Sequence, residues 1–429
     1  MEYPNGLLFE KNIQQELKSK FFYADEDPEY GQRLFFENSG GSLRLKKCVE
    51  AKEAIERFPD CPERIHERSL MLKKLCEDGT REILEIIFGA KSGSLITELT
   101  ASQTMFHMVG LIMENAKGTN AVVSSIEHPS AFDAVEFYCK KTGKELRVVP
   151  ANKLTGGIDP EEVFKYVDSN TCLLSVMSAS NISGNIMDIE RIAKGAREIC
   201  PDVFIISDAV QHAPHSTLDV ERLGIDGMNF APYKFFGVRG CGFAYVSDRV
   251  SAFPHHKLIA KEDKTFELGT SAPANFAAAM EIINYVCDVG RYYINSEDKK
   301  ALYDEGMRRI HLHERALLYR LLEGGDEVPG LRHIPGVKVY VDTDDLTSRD
   351  LIVAVGIDGI DFTECVAEYQ RRGVTVYERV NTSIYSKRIL DALGLSGAIR
   401  VSPLHCHGTD DIDRFLRITA DMARGVSQK

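Results

Sequence analysis

CLLSVMSASNISGNIMDIERIAKGAREICPDVFIIS, residues 172–207, begins and ends on short apolar runs and holds one stretch of helical spacing between them. CLLSVM (172–177) and VFIIS (203–207) have the length of strands, and Ile189–Ile199 reads as a helix. Two strands joined through a helix make a crossover unit, which favours parallel pairing. The same alternation extends outward in both directions. SLITEL (94–99), AVVSS (121–125), ELRVV (145–149), GMNFA (227–231) and GFAYVS (242–247) read as further strands, and Thr104–Ala116, Ala131–Lys141 and Pro160–Val167 as helices between them. The reading is therefore an α/β fold: a mostly parallel, seven-stranded sheet with helices on both faces. Ligands of such sheets bind beyond the carboxyl ends of the strands, so the loops there are where chemistry is to be sought.

The C-terminal part differs. Residues 275–325 read as one long helix. VKVYV (337–341) and VTVY (374–377) read as strands, Phe362–Arg371 and Asp410–Ala423 as helices, together a smaller α+β domain. The organisation expected is an N-terminal segment packed on the body (1–30), a large domain (31–290) and a small C-terminal domain (291–429).

Composition narrows the function. Of 429 residues, 44% are hydrophobic and 27% charged, a globular balance. The net charge of −12 leaves no basic surplus for phosphates, so no nucleic-acid partner is expected. No apolar run reaches transmembrane length, and the first residues lack the pattern of a signal peptide. The ten cysteines contain no CxxC pair and read as free thiols of a reducing cytoplasm. No metal is expected. His405 and His407, on one face of a strand, are too few to hold one, and His255-His256 reads as a solvated loop.

The strand ends carry a series of candidate residues. After SLITEL come Ser102, Gln103 and Thr104 at a helix start, either a phosphate seat or an ordinary cap. After AVVSS comes His128, able to stack on a ring or shuttle protons, or simply packed. Asn181 follows CLLSVM, as a ligand to an oxygen or as a turn residue. Asp208 ends VFIIS, where a buried carboxylate needs a partner such as a protonated ring nitrogen. Lys234 follows GMNFA, between Tyr233 and Phe235-Phe236, in surroundings that favour loss of its proton. A phosphate seat, a stacking histidine, a carboxylate and a desolvated lysine together suit pyridoxal 5′-phosphate, with Lys234 as its covalent anchor. The aromatic neighbours are expected to wall that site, and the glycines beyond to turn the chain back into the sheet.

Seven segments then show a resemblance in order: SQT (102–104), IEHPS (126–130), SNISG (180–184), SDAVQHAPHSTLDVERLGID (207–226), YKFFGVRGCGFAYV (233–246), FELGTSAP (266–273) and AIRVSPLHCHGTDDID (398–413). The chain resembles the class V aminotransferase and cysteine desulfurase family, fold type I of the pyridoxal-phosphate enzymes, over about residues 30 to 420. The resemblance implies that Lys234 carries the cofactor and moves the substrate's Cα proton, that Asp208 pairs with the ring nitrogen and that His128 stacks on the ring. It implies Asn181 and Gln211 at the ring's phenolic oxygen, and Ser102, Gln103, Thr104 and Tyr233 at the phosphate. It implies that Thr270 reaches the partner subunit's site in a homodimer, and that Arg400 clamps the substrate carboxylate.

Two departures matter. Where the desulfurases have Ser-Gly-His-Lys, this chain has Ala231-Pro232-Tyr233-Lys234, so a serine donor is lost. The loop 377–385 lacks the desulfurase cysteine, and Cys365 and Cys406 are poorly placed to replace it. The expected reaction is β-elimination from a cysteine-like amino acid. Transamination and epimerisation are the alternatives, and a persulfide-forming desulfurase is disfavoured. Residues 30–45, 250–265 and 377–388 are expected to contact the substrate side chain.

Overall fold

A computed structural model describes residues 3–427. The seven apolar runs form one sheet: β1 (Ser94–Glu98), β2 (Asn120–Ser124), β3 (Glu145–Val149), β4 (Thr171–Ser175), β5 (Phe204–Asp208), β6 (Gly227–Phe230) and β7 (Gly242–Val246). Their order is β1-β7-β6-β5-β4-β2-β3. Only β7 opposes its neighbours, running antiparallel to β1 and β6, and the other pairs are parallel.

The central strands are apolar throughout because both faces are covered. Val122, Leu174 and Ile205 enter one core, while Val123, Leu173 and Ile206 enter another. Helices α1 (Ala101–Asn115) and α2 (Pro129–Thr142) cover the second face through Met105, Met108, Ile112, Ala134 and Val135. On the first face, α3 (Ile189–Ile199) buries Ile189, Ile192, Ala193 and Ala196. It starts where the Asp188 carboxylate accepts the Arg191 N–H, an N-cap.

The long helix read over 275–325 is two helices, α4 (Pro273–Arg291) and α5 (Lys299–Glu323). Tyr293 and Ile294 still pack on the core in the gap, so the apolar spacing conceals the break. Asp298 restarts the helix by accepting the N–H groups of Lys300 and Ala301. α5 serves two cores: Leu302, Met307 and Ile310 join the large one, Leu317, Leu318 and Leu321 the C-terminal one.

That C-terminal core lies under an antiparallel sheet of β8 (Val337–Tyr340), β9 (Val353–Ile357), β10 (Tyr377–Val380) and β11 (Gly397–Val401), in the order β8-β9-β11-β10. α6 (Phe362–Arg371) and α7 (Thr409–Ser427) pack on it through Cys365, Tyr369, Ile412 and Phe415. VTVY is not one strand: Val374–Thr375 pairs in parallel with Leu34–Phe35, and Tyr377 begins β10. The N-terminal helix Lys11–Ser19 buries Ile13 and Leu17, and Lys18 pairs with Asp411 at 3.0 Å. Among the described residues no helix is long and apolar enough to cross a membrane.

His405 and His407 lie in the turn after β11 and not on a strand, which corrects the shared-face reading. Both are buried, and His405 Nε2 meets the Tyr285 hydroxyl at 2.7 Å. His255-His256 lies in a loop where His256 is exposed, while His255 is half-buried and stacks on Phe266 with 4.2 Å between centroids.

Candidate active site

The loops after β1, β2, β4, β5 and β6 meet around a cavity of about 200 Å³. Lys234 lies in its wall and ends a single tight turn, Pro232–Lys234, one residue beyond β6. Tyr233 lines the cavity, but Phe235 and Phe236 do not. They are fully buried behind the lysine, edge-on to Phe230, Tyr285 and His405. They hold the turn against the core and do not wall the site, because their side chains are spent on packing. Phe236 has φ 61°, a left-handed conformation that costs free energy in a bulky residue, so the packing fixes this turn in place. Burial, and then the charge of Arg400, pull the Lys234 amine down to about 7.

Asp208 ends β5 and accepts the Val210 N–H at 2.9 Å. Burial raises its carboxyl above the usual range, opposed by that N–H and by Lys234. A cation at the second oxygen would restore it. His128 caps α2, with Nδ1 accepting the Ser130 N–H at 3.2 Å. Burial and the nearby Lys234 push its imidazole down to about 3, so it is a neutral ring at working pH.

Beneath it lies Glu127, which has no role in the sequence reading although IEHPS contains it. Its carboxyl oxygen accepts the Ser124 hydroxyl at 2.6 Å and the Met177 N–H at 2.7 Å, tying the ends of β2 and β4 together. Burial lifts this acid to about 8.

At the opposite end, Thr100 caps α1 by accepting the Gln103 N–H at 3.2 Å. Thr100, Ala101 and Ser102 line the cavity. The side chains of Gln103 and Thr104 do not: Gln103 is exposed, and the Thr104 hydroxyl donates to the Ala101 carbonyl at 2.8 Å. Gly242, at the start of β7, permits this close approach, because a Cβ there would collide with the Ala101 amide. The helix start is thus pressed against the sheet in the cavity wall, and a helix N-terminus is a usual seat of an anion.

Gln211 lines the cavity with its amide nitrogen donated to the Ser39 carbonyl at 3.0 Å. Asn181 is 3% exposed, and its buried Oδ1 has no partner among the described residues. Arg400, 2% exposed on β11, donates to the Asn181 carbonyl at 3.3 Å and to the Glu37 carboxylate. Thr270 is exposed in the segment before α4 and does not line the cavity. No cysteine lines it either. Cys365 is buried in α6, and Cys406 is buried beyond β11.

A flat, anionic, ring-nitrogen cofactor fits these residues. One end offers a helix start, the middle a primary amine and a neutral imidazole, and the floor a buried carboxylate with room for a protonated partner. The unpaired Asn181 oxygen is a further polar group that a bound ring would satisfy.

Residues 61–415 match the family described as Aminotransferase class-V. The chain belongs to the class V aminotransferase family. It is an enzyme of this pyridoxal-phosphate-dependent family. Among curated relatives it is 29% identical over 213 residues to the cysteine desulfurase IscS of Dictyoglomus turgidum, a match spanning 49% of this chain and 52% of that protein. To the cysteine desulfurase IscS of Methanosarcina thermophila it is 23% identical over 406 residues, covering 91% and 92% of the two chains. To the aminotransferase-like protein FGM3 of Gibberella zeae it is 25% identical, covering 77% of each. The chain thus spans about half the length of the first of these and most of the other two. Among solved structures, the cysteine desulfurase of Thermococcus onnurineus superposes with a TM-score of 0.77 at 21% identity, covering 92% of this chain and 95% of that one. The Escherichia coli cysteine desulfurase CsdA gives 0.78 at 16% identity, covering 98% and 99%. These establish the class V fold, with its mostly parallel seven-stranded sheet and smaller second sheet.

Proposed function

We propose that the protein binds pyridoxal 5′-phosphate on Lys234 and removes the Cα proton of an amino acid, leading to β-elimination of a sulfur leaving group from a cysteine-like substrate. The observation that carries this is the buried Lys234 amine, lowered to about 7, in one cavity with the buried Asp208 carboxylate and the α1 start. Bound there, the cofactor supplies an electron sink that acidifies the substrate's Cα–H. Asp208 holds a proton on the ring nitrogen, His128 lies on the ring as a neutral imidazole, and Asn181 and Gln211 face the ring oxygen. Thr100 and Ser102, with the α1 amides, hold the phosphate, and Tyr233 stands in for the desulfurase histidine through its hydroxyl. Arg400 orients the substrate by its carboxylate, and Lys234 takes the Cα proton at Nζ.

Relatives named cysteine desulfurase favour a second reading, transfer of sulfur to a protein thiol. That step needs a reachable thiolate at the cavity. Burial raises the thiol of Cys406 well above its usual range and that of Cys365 to about 12, and neither lines the site. Elimination needs no such thiol. Transamination and epimerisation use the same residues as far as Cα deprotonation and remain the alternatives within the family.

We also infer a homodimer in which Thr270 reaches the partner's phosphate. The support is an exposed apolar surface near that segment, with Ile259 at 100% and Leu268 at 55% exposure, beside a hollow of about 760 Å³ between residues 62–84 and 261–271. Ten unpaired cysteines fit a cytoplasmic protein.

Loading the protein with cofactor, reducing with borohydride and mapping the modified peptide tests the assignment. The label is expected on Lys234 and absent from Lys234→Ala. A label retained in that variant would overturn it.

A further inference from the structure

Glu37 and Arg379, two charged groups beside Arg400 in the segments 30–45 and 377–388, have no individual role so far, and any role for them rests on Arg400 as the carboxylate arginine of the proposed function. Strands β10 and β11 are antiparallel, with Tyr377 directly opposite Arg400. Arg379 lies two residues beyond Tyr377 and therefore leaves the sheet on the same face as Arg400, one diagonal step away. The two guanidiniums sense each other: burial, and then the charge of Arg400, pull Arg379 down to about 10. It remains a cation at neutral pH and in turn depresses Lys234 and His128.

Glu37 arrives from the N-terminal part of the chain, and its carboxylate touches Nη2 of Arg400. The backbone is shaped for that contact. A bridge aligns Glu37 with Ser402, just past β11, and Gly40 leaves the space open, since a Cβ there would collide with the Glu37 carboxylate.

Four buried polar atoms of this group have no hydrogen-bond partner among the described residues: Nε of Arg379, Nε of Arg400, Oε2 of Glu37 and Oδ1 of Asn181. Buried donors are seldom left so, and the two guanidinium Nε–H groups mark where an accepting carboxylate completes them. The charges agree. Two guanidiniums against one carboxylate leave a single positive charge, which one substrate carboxylate cancels. A second acid on the substrate beside this group would face Glu37, a like-charge contact that discriminates against it.

We propose that Glu37 and Arg379 are specificity-determining residues: with Arg400 they form a clamp for one carboxylate only, so the substrate is an amino acid whose side chain carries no negative charge. Arg379 shares the α-carboxylate with Arg400, and Glu37 is their resident counter-ion.

The test uses two ligands without a Cα hydrogen, which bind but cannot react further: 2-aminoisobutyrate and α-methyl-L-aspartate. Dissociation constants are read from the absorption of the cofactor-loaded protein and by calorimetry. The native protein is expected to prefer 2-aminoisobutyrate by ~10-fold or more. Glu37→Gln, nearly isosteric, is expected to tighten α-methyl-L-aspartate binding by a similar factor, and Glu37→Asp to keep the native preference. Arg379→Gln is expected to weaken 2-aminoisobutyrate by ~10-fold, with partial recovery in Arg379→Lys. Equal affinities in the native protein, a preference unaltered by Glu37→Gln, or unchanged binding in Arg379→Gln would each overturn the clamp. If neither ligand perturbs the native protein at all, the amino-acid site itself is wrong and the clamp falls with it. If both bind with no dependence on Glu37 or Arg379, only the clamp falls.

Discussion

Lys234 illustrates how burial makes a reactive group. Its ammonium would be stable in water, but here it is 9% exposed and shares its surroundings with Arg400 and Arg379. Each disfavours the charged form, and Asp208 offsets them only in part. A lysine amine must be neutral to attack a carbonyl. The rate at which the apo-protein captures pyridoxal phosphate should therefore rise with pH through a midpoint of about 7, set by Lys234, and level off above it. Below that midpoint the ammonium dominates and capture slows about tenfold per pH unit. A stopped-flow absorption series would show it, and a midpoint near the 10.5 of an ordinary lysine would contradict the reading. His128 belongs to the same account: with its imidazole held at about 3, it adds no second inflection to that profile near neutrality.

Among strands and helices, the site depends on strand ends being held at fixed heights. Glu127 ties β2 to β4, and Gly242 lets β7 press against the α1 amides. Gly242→Ala should force α1 outward, destabilising the protein by about 1–3 kcal/mol and weakening its hold on pyridoxal phosphate more than on pyridoxal, which lacks the phosphate. Thermal melts and equilibrium titration with both forms would check this; equal losses for the two would mean the α1 start does not hold the phosphate. Much of this frame is legible in the sequence. All seven strands can be read there because each is built on an apolar run, unbroken in the central strands that are buried on both faces, and α3 has the bounds its spacing indicates. The break after Arg291 is hidden because Tyr293 and Ile294 keep the apolar rhythm without the helix. Lys234, Asp208 and His128 can be found because each lies at or just beyond a strand end. Glu37 and Arg379 fall within the segments 30–45 and 377–388 expected at the substrate, but neither can be singled out there. They meet Arg400 only through the pairing of β10 with β11 and a bridge to Ser402, contacts between segments far apart in the chain. Thr104 departs from its expected place for a local reason, since its hydroxyl turns back onto its own helix.

Across the molecule, the cavity lies at the strand ends of the large sheet, and Arg400 of β11 reaches the loop after β4 through the Asn181 carbonyl. α5 contributes to both cores and so ties the large sheet to the β8–β11 sheet. The phosphate end, by contrast, lacks a hydroxyl from Thr270 of its own subunit. The protein should sediment at twice its monomer mass, and Thr270→Ala should release cofactor more readily without altering that mass; a monomer with full cofactor retention would exclude the shared site. The most direct measurement is product analysis after the cofactor-loaded protein is mixed with L-cysteine and other β-substituted amino acids, with no keto acid added. Equal amounts of pyruvate, ammonia and the sulfur leaving group are predicted. Alanine together with a protein-bound persulfide would contradict the account, for it would require a cysteine that the structure keeps away from the cavity.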